Sequence, residues 1–254
     1  MLLVISPAKT LDYSDPDFTD HSQPRLLDKS ERLIEILRKK TVPDLQKLMS
    51  ISEELAVLNA ERYADYEQPF SLDNAKQSLL AFKGDVYQGL QAEDFSEEEL
   101  SFAQDHLRIL SGLYGVLRPL DLMQPYRLEM GTRLQNVYGK NLYEFWGDTI
   151  TEVLNRDLQQ LEHRALVNLA SREYFKSIDT NRLEGDLYHV DFKEKRDDGQ
   201  YRIIAVYAKK ARGMMCRYAI KNGLTNPGEL RNFNKEGYTF NEELSKEQHF
   251  VFTR

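Results

Sequence analysis

The sequence lacks several features that define large classes of proteins. Its single cysteine, Cys216, excludes an internal disulfide, which fits a reducing compartment. Its longest apolar runs, such as residues 2–5 and 203–206, are far shorter than the roughly 20 residues of a membrane helix. The apolar stretch before Pro7 is short and has no basic leader, so no signal peptide is predicted. These absences predict a soluble, cytoplasmic protein that has no membrane partner.

Glycine and proline are also scarce, with 13 and 8 residues in a chain of 254. No Pro/Gly/Ser-rich linker divides the chain, and no internal repeat is visible. Hydrophobic residues make up 41% of the sequence, which is enough to form a full core. We therefore predict one domain over residues 1–254.

The common catalytic and cofactor motifs are missing. The sequence has no phosphate-binding loop of the Walker type, no dinucleotide-binding glycine turn and no serine nucleophile elbow. Its five histidines are scattered outside metal-ligand spacings, so we predict no metal and no cofactor. The formal net charge of −7 also argues against a general nucleic-acid binder, unless positive charge is segregated.

Apolar strand-length runs alternate with amphipathic patterns along the chain. This order predicts an α/β fold in which a mixed β-sheet is flanked by helices, with a strand order that the sequence does not give. Strands are predicted at residues 1–5, 78–82, 107–110, 165–170, 187–192, 201–206 and near 250. Helices are predicted at 26–40, after Pro43, from Ser52, from Ser96, at 142–161, at 209–222 and from Pro227.

A stretch without any acid, residues 199–228, concentrates positive charge in this acidic protein. It contains Arg202, Lys209, Lys210, Arg212, Arg217 and Lys221. On a helix, Lys210, Arg217 and Lys221 fall on one narrow stripe, opposite an apolar face. The stripe is either a solvated face paired with acidic neighbours, such as the run at 97–99, or a site for a polyanion.

A helix-hairpin-helix-like element is predicted at about residues 209–237, near the C-terminus. The basic helix is followed by a tight connection that contains Gly223 and Thr225, and then by a short helix from Pro227. Backbone N–H groups at such a hairpin suit a phosphate. A standard hairpin of this type has two glycines one residue apart, and Gly223 has no such partner, so an ordinary turn is the alternative.

Polar corners also follow several predicted strands, at residues 6–9, 83–85, 111–112, 171–174 and 207–210. They contain Ser6, Lys9, Lys83, Asp85, Ser111, Ser171, Tyr174 and Lys209. Ligands of α/β folds bind at the carboxyl ends of strands, so these residues could share one cleft. Such a cleft, with several amines and few acids, would favour an anion. Polar turns after strands are also normal, and this is the alternative. Cys216, close to two arginines in the sequence, is either a reactive thiol or a small core residue.

Several blocks of the sequence resemble one family. They are SPAKTLD at 6–12, AFKGDVY at 81–87, LSGLYGVLRPLD with its continuation to Arg127 at 110–127, NLAS at 168–171 and YAKKARG at 207–213. Together they are similar to the YaaA family of peroxide-stress resistance proteins, over nearly the whole chain.

The resemblance implies a bacterial cytosolic protein made under hydrogen peroxide stress, linked to DNA protection and lower free iron. It implies a one-domain α/β architecture unlike the common superfolds, with a basic cleft and a helix-hairpin-helix that binds DNA, and no established enzymatic activity. Any effect on iron would be indirect, since the sequence shows no iron site. We place DNA binding on Lys209, Lys210, Arg212, Arg217, Lys221, Gly223 and Thr225.

Three functional hypotheses follow. In the first, these residues grip the phosphate backbone of duplex, bubble or branched DNA without reading sequence. In the second, the protein is an enzyme that acts on a phosphorylated or nucleotide-like substrate in the strand-end cleft. There the lysines at 9, 83 and 209 would hold the anion, and Asp85, Ser111 or Tyr174 would supply acid–base or nucleophilic groups. In the third, acidic segments contact a protein partner. The sequence gives no oligomeric state.

Overall fold

A mixed β-sheet forms the centre of the molecule in a computed structural model that describes residues 1–14 and 18–254. The strands of the chain are β1 Leu2–Ile5, β2 Thr10–Leu11, β3 Lys76–Gln77, β4 Phe82–Lys83, β5 Leu107–Ser111, β6 Gly115–Leu117, β7 Leu122–Met123, β8 Ala165–Asn168, β9 Asp186–Lys195, β10 Tyr201–Arg202, β11 Thr239–Phe240 and β12 His249–Thr253. The predicted fold class, a mixed sheet flanked by helices, is confirmed.

The order of strands in this sheet is β11-β12-β9-β8-β1-β5-β6, and β10 pairs with β9. Strands β5, β1, β8, β9 and β12 run parallel, whereas β6, β10 and β11 pair antiparallel. The chain leaves β1 for β5 on one side and returns to β8 on the other side. This reversal at β1 is a topological switch point, where open α/β sheets bind ligands beyond the carboxyl ends of the strands.

Helices flank the sheet and bury their apolar sides in the core. They are α1 Leu27–Leu37, α2 Val42–Met49, α3 Glu53–Asp65, α4 Ser78–Ala81, α5 Asp85–Leu90, α6 Glu97–His106, α7 Leu142–Trp146, α8 Thr149–Gln159, α9 Arg172–Phe175 and α10 Ala205–Lys221, with 3-10 turns at Ala92–Asp94 and Pro227–Asn232. Ser52 and Ser96 cap their helices as the sequence predicts. No helix within the described ranges has the length and apolarity needed to cross a bilayer.

Helices α5 and α10 cross in backbone contact, and this contact shapes the site described below. A Cβ on Gly213 would lie 1.8 Å from the Val86 carbonyl oxygen, and one on Gly89 would lie 2.1 Å from the Lys210 carbonyl oxygen. Only glycine permits such an approach. The crossing brings Asp85, at the start of α5, beside Lys209 on α10.

Three predicted elements differ from the observed ones. Residues 78–81 form a helical turn instead of a strand, and only Phe82–Lys83 is extended. The predicted helix 142–161 is two helices, because Gly147 adopts a positive φ of 48° between them. The second arm of the hairpin ends at Arg202, since helix α10 already starts at Ala205.

Candidate functional site

A cleft of about 490 Å³ lies at the carboxyl ends of β1 and β8, beside the switch point. We call it the strand-end cleft. Its walls come from the loop after β1, the start of α5, the loop after β8 and the first turns of α10. Lys9, Lys83, Asp85, Tyr174 and Lys209 all line it, so the structure brings together five of the residues that the sequence places after strands.

Two serines connect the neighbouring strand ends at the base of the cleft. Ser6 follows β1 and Ser171 follows β8, and the Ser171 backbone N–H donates to Ser6 Oγ at 2.9 Å. The two hydroxyl groups lie 3.2 Å apart. Tyr87 Oη also donates to the Ser6 carbonyl oxygen at 3.2 Å. This network fixes the spacing of the two loops, and it leaves hydroxyl groups in the cleft wall that can donate to an anion.

Each cleft lysine has a carboxylate partner. Lys9 Nζ lies 3.0 Å from Glu129 Oε2, and Lys209 Nζ lies 3.7 Å from Asp85 Oδ2. Lys83 Nζ lies 3.5 Å from Asp12 Oδ2. The three lysine side chains remain 45–60% exposed, so these ion pairs are solvated and contribute little stability. An anion that entered the cleft could therefore recruit the amines at a small cost.

Arg212 differs from the lysines, because it has no ion-pair partner within the described part of the chain. Its Nε–H is buried and makes no hydrogen bond. Burial lowers the pKa of the guanidinium, and the nearby Asp191 carboxylate opposes this shift without pairing. Asp191 instead binds His249 Nε2 at 3.0 Å. An arginine stays charged at any physiological pH, so Arg212 presents an unpaired, partly desolvated cation to the cleft.

Tyr174 lines the same cleft as a neutral phenol. Burial, together with neighbouring Tyr126 and the Glu173 carboxylate, raises the pKa of Tyr174 far above neutrality. The hydroxyl therefore acts as a hydrogen-bond donor and not as a phenolate base. Glu173, also in the wall, accepts a hydrogen bond from the Gly131 N–H at 2.8 Å, which holds its carboxylate against a backbone loop.

Ser111 does not line the cleft, so its predicted place among the strand-end residues is wrong. It is completely buried in β5. Its hydroxyl lies 2.6 Å from Tyr126 Oη and accepts a hydrogen bond from the Tyr114 N–H at 2.9 Å. Because β5 continues directly into the tight turn to β6, its carboxyl end is closed by the core. Ser111 therefore supports packing.

The basic stripe on α10 is neutralised by carboxylates. Lys210 Nζ lies 2.6 Å from Glu236 Oε1, and Arg217 forms a two-pronged pair with Asp94 at 2.7 and 2.8 Å. Lys221 lies 2.7 Å from Glu99 Oε2. Of the two interpretations of the stripe, the structure therefore supports a face paired with acidic neighbours, which come from the 3-10 turn before α6, from α6 itself and from the C-terminal region.

The hairpin after α10 uses its own backbone groups. Gly223 has a φ of 58°, and its N–H donates to the Ile220 carbonyl oxygen, as in other helix C-termini. The Asn226 side chain caps the following 3-10 turn by accepting from the Gly228 N–H at 2.9 Å. The Thr225 carbonyl oxygen accepts from the Met1 ammonium group at 2.8 Å. The N–H groups of Gly223 and Gly228 are therefore already bonded within the chain.

Cys216 is fully buried in α10, which confirms the interpretation of a small core residue. Burial raises the pKa of its thiol well above neutrality, so little thiolate is present to react with a peroxide. Within residues 1–14 and 18–254, the His, Cys, Asp and Glu side chains form no group of three placed to hold a metal ion.

Sequence reasoning missed part of the cleft. It assigned Arg212 to a DNA-binding helix and not to the cleft, and it did not single out Glu129 as a wall residue. Ser6 and Ser171 stand in the polar corners predicted after β1 and β8, beside Lys9 and Tyr174, and the structure places both in the cleft wall. Arg212 lies one turn after Lys209 on α10, so the spacing of three residues on a predicted helix was the signal that could have found it.

A comparison with known protein families agrees with the motifs that follow the strands. The blocks at 6–12, 81–87, 168–171 and 207–213 all contribute walls of the strand-end cleft. The family described as peroxide stress protein YaaA matches residues 1–244. The chain therefore belongs to the YaaA family of peroxide stress proteins.

Proposed function

We propose that this protein acts in peroxide stress by binding a phosphate-bearing ligand in the strand-end cleft. The observation that carries the proposal is the unpaired Arg212, whose buried Nε–H faces no acceptor at a topological switch point. Leaving such a donor unsatisfied costs roughly 1–3 kcal/mol, which an anionic ligand would recover. A cleft of about 490 Å³ is also within the usual size range for small-molecule sites.

Phosphate fits the surrounding groups better than a carboxylate does. A guanidinium can contact two phosphate oxygens at once, while three lysines on flexible stems can reach the remaining oxygens. The Tyr174 phenol and the serine hydroxyls add neutral donors. A carboxylate has two oxygens and would leave most of these donors unused.

The same geometry favours binding over covalent catalysis. Ser111, one of the three groups considered for acid–base or nucleophilic work, lies in the core. Tyr174 stays protonated. Asp85 is the remaining candidate, and its carboxylate is paired with Lys209. An enzymatic role would therefore depend on Asp85 as the acid–base group.

Calorimetric titration with inorganic phosphate and pyrophosphate tests the proposal. Arg212→Met keeps the apolar stem and removes the charge, so we expect binding to weaken at least tenfold. Arg217→Met is the matched control, because Arg217 lies on the same helix but pairs with Asp94 outside the cleft. The proposal fails if the parent protein binds neither anion, or if both variants bind as the parent does.

DNA is a second candidate ligand, favoured by a separate basic groove of about 490 Å³. Lys40, Lys47 and Arg133 line this groove, are exposed and make no ion pair within the described ranges. Its Asp44 carboxylate is engaged by Thr41 in a helix cap. The groove borders the loop that carries Glu129 and Gly131, so it adjoins the strand-end cleft. A phosphate backbone could follow both surfaces.

Salt dependence distinguishes this surface from the α10 stripe. If the backbone contacts the groove, replacing Lys40, Lys47 and Arg133 with Gln should flatten the slope of log K against log salt by up to about 2.7 units. The matched triple variant at Lys210, Arg217 and Lys221 should change the slope little, because those cations are already paired. Gel shifts with duplex, bubble and branched DNA provide the measurement. If the α10 variant changes the slope more than the groove variant does, the DNA-binding surface is α10.

We propose that the link to free iron is indirect.

A further inference from the structure

The strand-end cleft carries carboxylates as well as cations, and the surroundings of these carboxylates differ. Asp85 Oδ2 lies 3.7 Å from Lys209 Nζ, and Glu129 Oε2 lies 3.0 Å from Lys9 Nζ. Glu173 also lines the cleft, but it forms no ion pair within the described part of the chain. Glu173 therefore adds a carboxylate without a paired cation to a cleft that also contains an unpaired guanidinium.

The backbone holds the Glu173 side chain in place. Its Oε1 accepts from the Gly131 N–H at 2.8 Å, and its Oε2 accepts no hydrogen bond from residues 1–14 and 18–254. The residue is partly buried at the start of α9, and the next residue, Tyr174, also lines the cleft. A carboxylate can accept about four hydrogen bonds, so Glu173 offers acceptor sites to a ligand.

The charge of the wall limits which ligand can use these acceptor sites. Four cationic and three anionic side chains line the cleft, so the formal charge of the wall is +1. A ligand that is only an anion would satisfy the cations and leave Glu173 close to a like charge. A ligand ammonium group would pair with Glu173, but the cations of the wall would repel it. A neutral hydroxyl group donates to a carboxylate and adds no charge, so hydroxyl groups fit best.

We infer that the cleft binds a phosphate ester with neighbouring hydroxyl groups, of the sugar phosphate class, and that Glu173 selects this class. The phosphate contacts Arg212, and the hydroxyl groups donate to Glu173. This inference rests on the proposed phosphate site. Carboxylates bind ribose hydroxyl groups in a comparable way in dinucleotide-binding folds, which also bind their ligands at a topological switch point.

Calorimetric titrations with glycerol 3-phosphate and propyl phosphate test the inference, because these molecules have equal carbon chains and differ only in hydroxyl groups. We expect glycerol 3-phosphate to bind about tenfold more tightly, since hydrogen bonds to a charged acceptor are strong. Phosphoethanolamine, which carries an ammonium group, should bind more weakly than glycerol 3-phosphate. Ribose 5-phosphate and UMP distinguish two sources of the same unit. UMP that binds at least as tightly as ribose 5-phosphate identifies a nucleotide, and weaker binding identifies the free sugar phosphate.

Glu173→Gln separates selection from a structural role. The amide oxygen still accepts from the Gly131 N–H, but the charge is removed, so the preference for glycerol 3-phosphate should fall to about twofold or less. Inorganic phosphate should bind as tightly as in the parent or more tightly, because a negative charge has left the cleft. Glu173→Asp keeps the charge and should retain more of the preference. Glu229→Gln is the matched control, because Glu229 also accepts a backbone N–H and lies outside the cleft.

The outcomes separate this inference from the phosphate site on which it rests. Equal affinities of the parent for glycerol 3-phosphate and propyl phosphate would overturn the role of Glu173 and leave the phosphate site intact. An equal loss of both ligands and of inorganic phosphate in Glu173→Gln would show a structural role and overturn it too. Phosphoethanolamine that binds most tightly would overturn the sugar phosphate class. Absence of all binding to the parent would overturn both proposals.

Discussion

Arg212 should reduce the stability of the unliganded protein and increase that of the liganded one. Its Nε–H is buried without a partner, and its guanidinium has no ion pair within the described ranges. An unsatisfied buried donor costs about 1–3 kcal/mol. Methionine retains most of the apolar stem, so Arg212→Met should keep the packing and remove this penalty.

The expected gain is about 1 kcal/mol, which corresponds to a rise of about 2–4 °C in the melting temperature of a chain of this size. Phosphate should reverse the ranking. At a concentration 100 times its dissociation constant, a ligand stabilises the folded state by about 2.7 kcal/mol. The parent would gain this amount, whereas a variant that binds at least tenfold more weakly would gain at most about 1.4 kcal/mol. Scanning calorimetry of both proteins, with and without phosphate, measures the crossover.

The control is Arg217→Met, which breaks the pair with Asp94 and the hydrogen bonds to the Leu90 and Gln91 carbonyl oxygens. It should lower the stability by the same amount with and without phosphate. If Arg212→Met is less stable than the parent both with and without phosphate, the reasoning is refuted, because Arg212 would then be a structural residue with a partner in the fold.

Three further results are expected. Gly213→Ala should destabilise the protein by about 1–3 kcal/mol or more in urea unfolding, because the new Cβ would lie 1.8 Å from the Val86 carbonyl oxygen. An unchanged unfolding midpoint would contradict the close crossing of α5 and α10. Burial raises the pKa of Asp157, but the hydrogen bonds and charges of Arg25 and buried Arg108 outweigh burial and lower this pKa below its ordinary value. The contribution of Asp157 to folding stability is therefore present above the unfolded pKa and is lost as the pH falls through the folded pKa. Asp157→Asn should cost about 3–5 kcal/mol at pH 7 and flatten the pH dependence of unfolding below about pH 4, whereas a parallel pH profile would contradict this role. The Cys216 thiol should resist peroxide and thiol reagents until the protein unfolds, as mass spectrometry of the native protein can show; rapid native labelling would contradict its burial.

Local patterns predicted much of the fold, because helix caps and apolar runs act within a few residues. Ser52 and Ser96 start their helices as expected, and the β1 and β5 runs form strands. The break at Gly147 was missed because an amphipathic pattern continues through it. The short apolar run at 78–81 predicts a strand, but a buried helical turn can have the same composition, and the structure shows a helical turn there.

Part of the candidate site was likewise predictable from local patterns, and part depends on tertiary packing. Lys9 and Tyr174 follow β1 and β8 at the same edge of the central sheet, and the pairing of β2 with β4 brings Lys83 and Asp85 beside them. The partners of the α10 cations were not predictable, since Asp94, Glu99 and Glu236 lie far from them in the sequence and approach only through tertiary packing. The same packing leaves Arg212 without a partner.

The most direct test of the central claim is a crystal structure of the protein with pyrophosphate at saturating concentration. We expect the anion in the strand-end cleft, with a phosphate oxygen about 3 Å from Arg212 Nε or its terminal nitrogens. Pyrophosphate bound elsewhere, with Arg212 still without an anionic contact, would contradict the account.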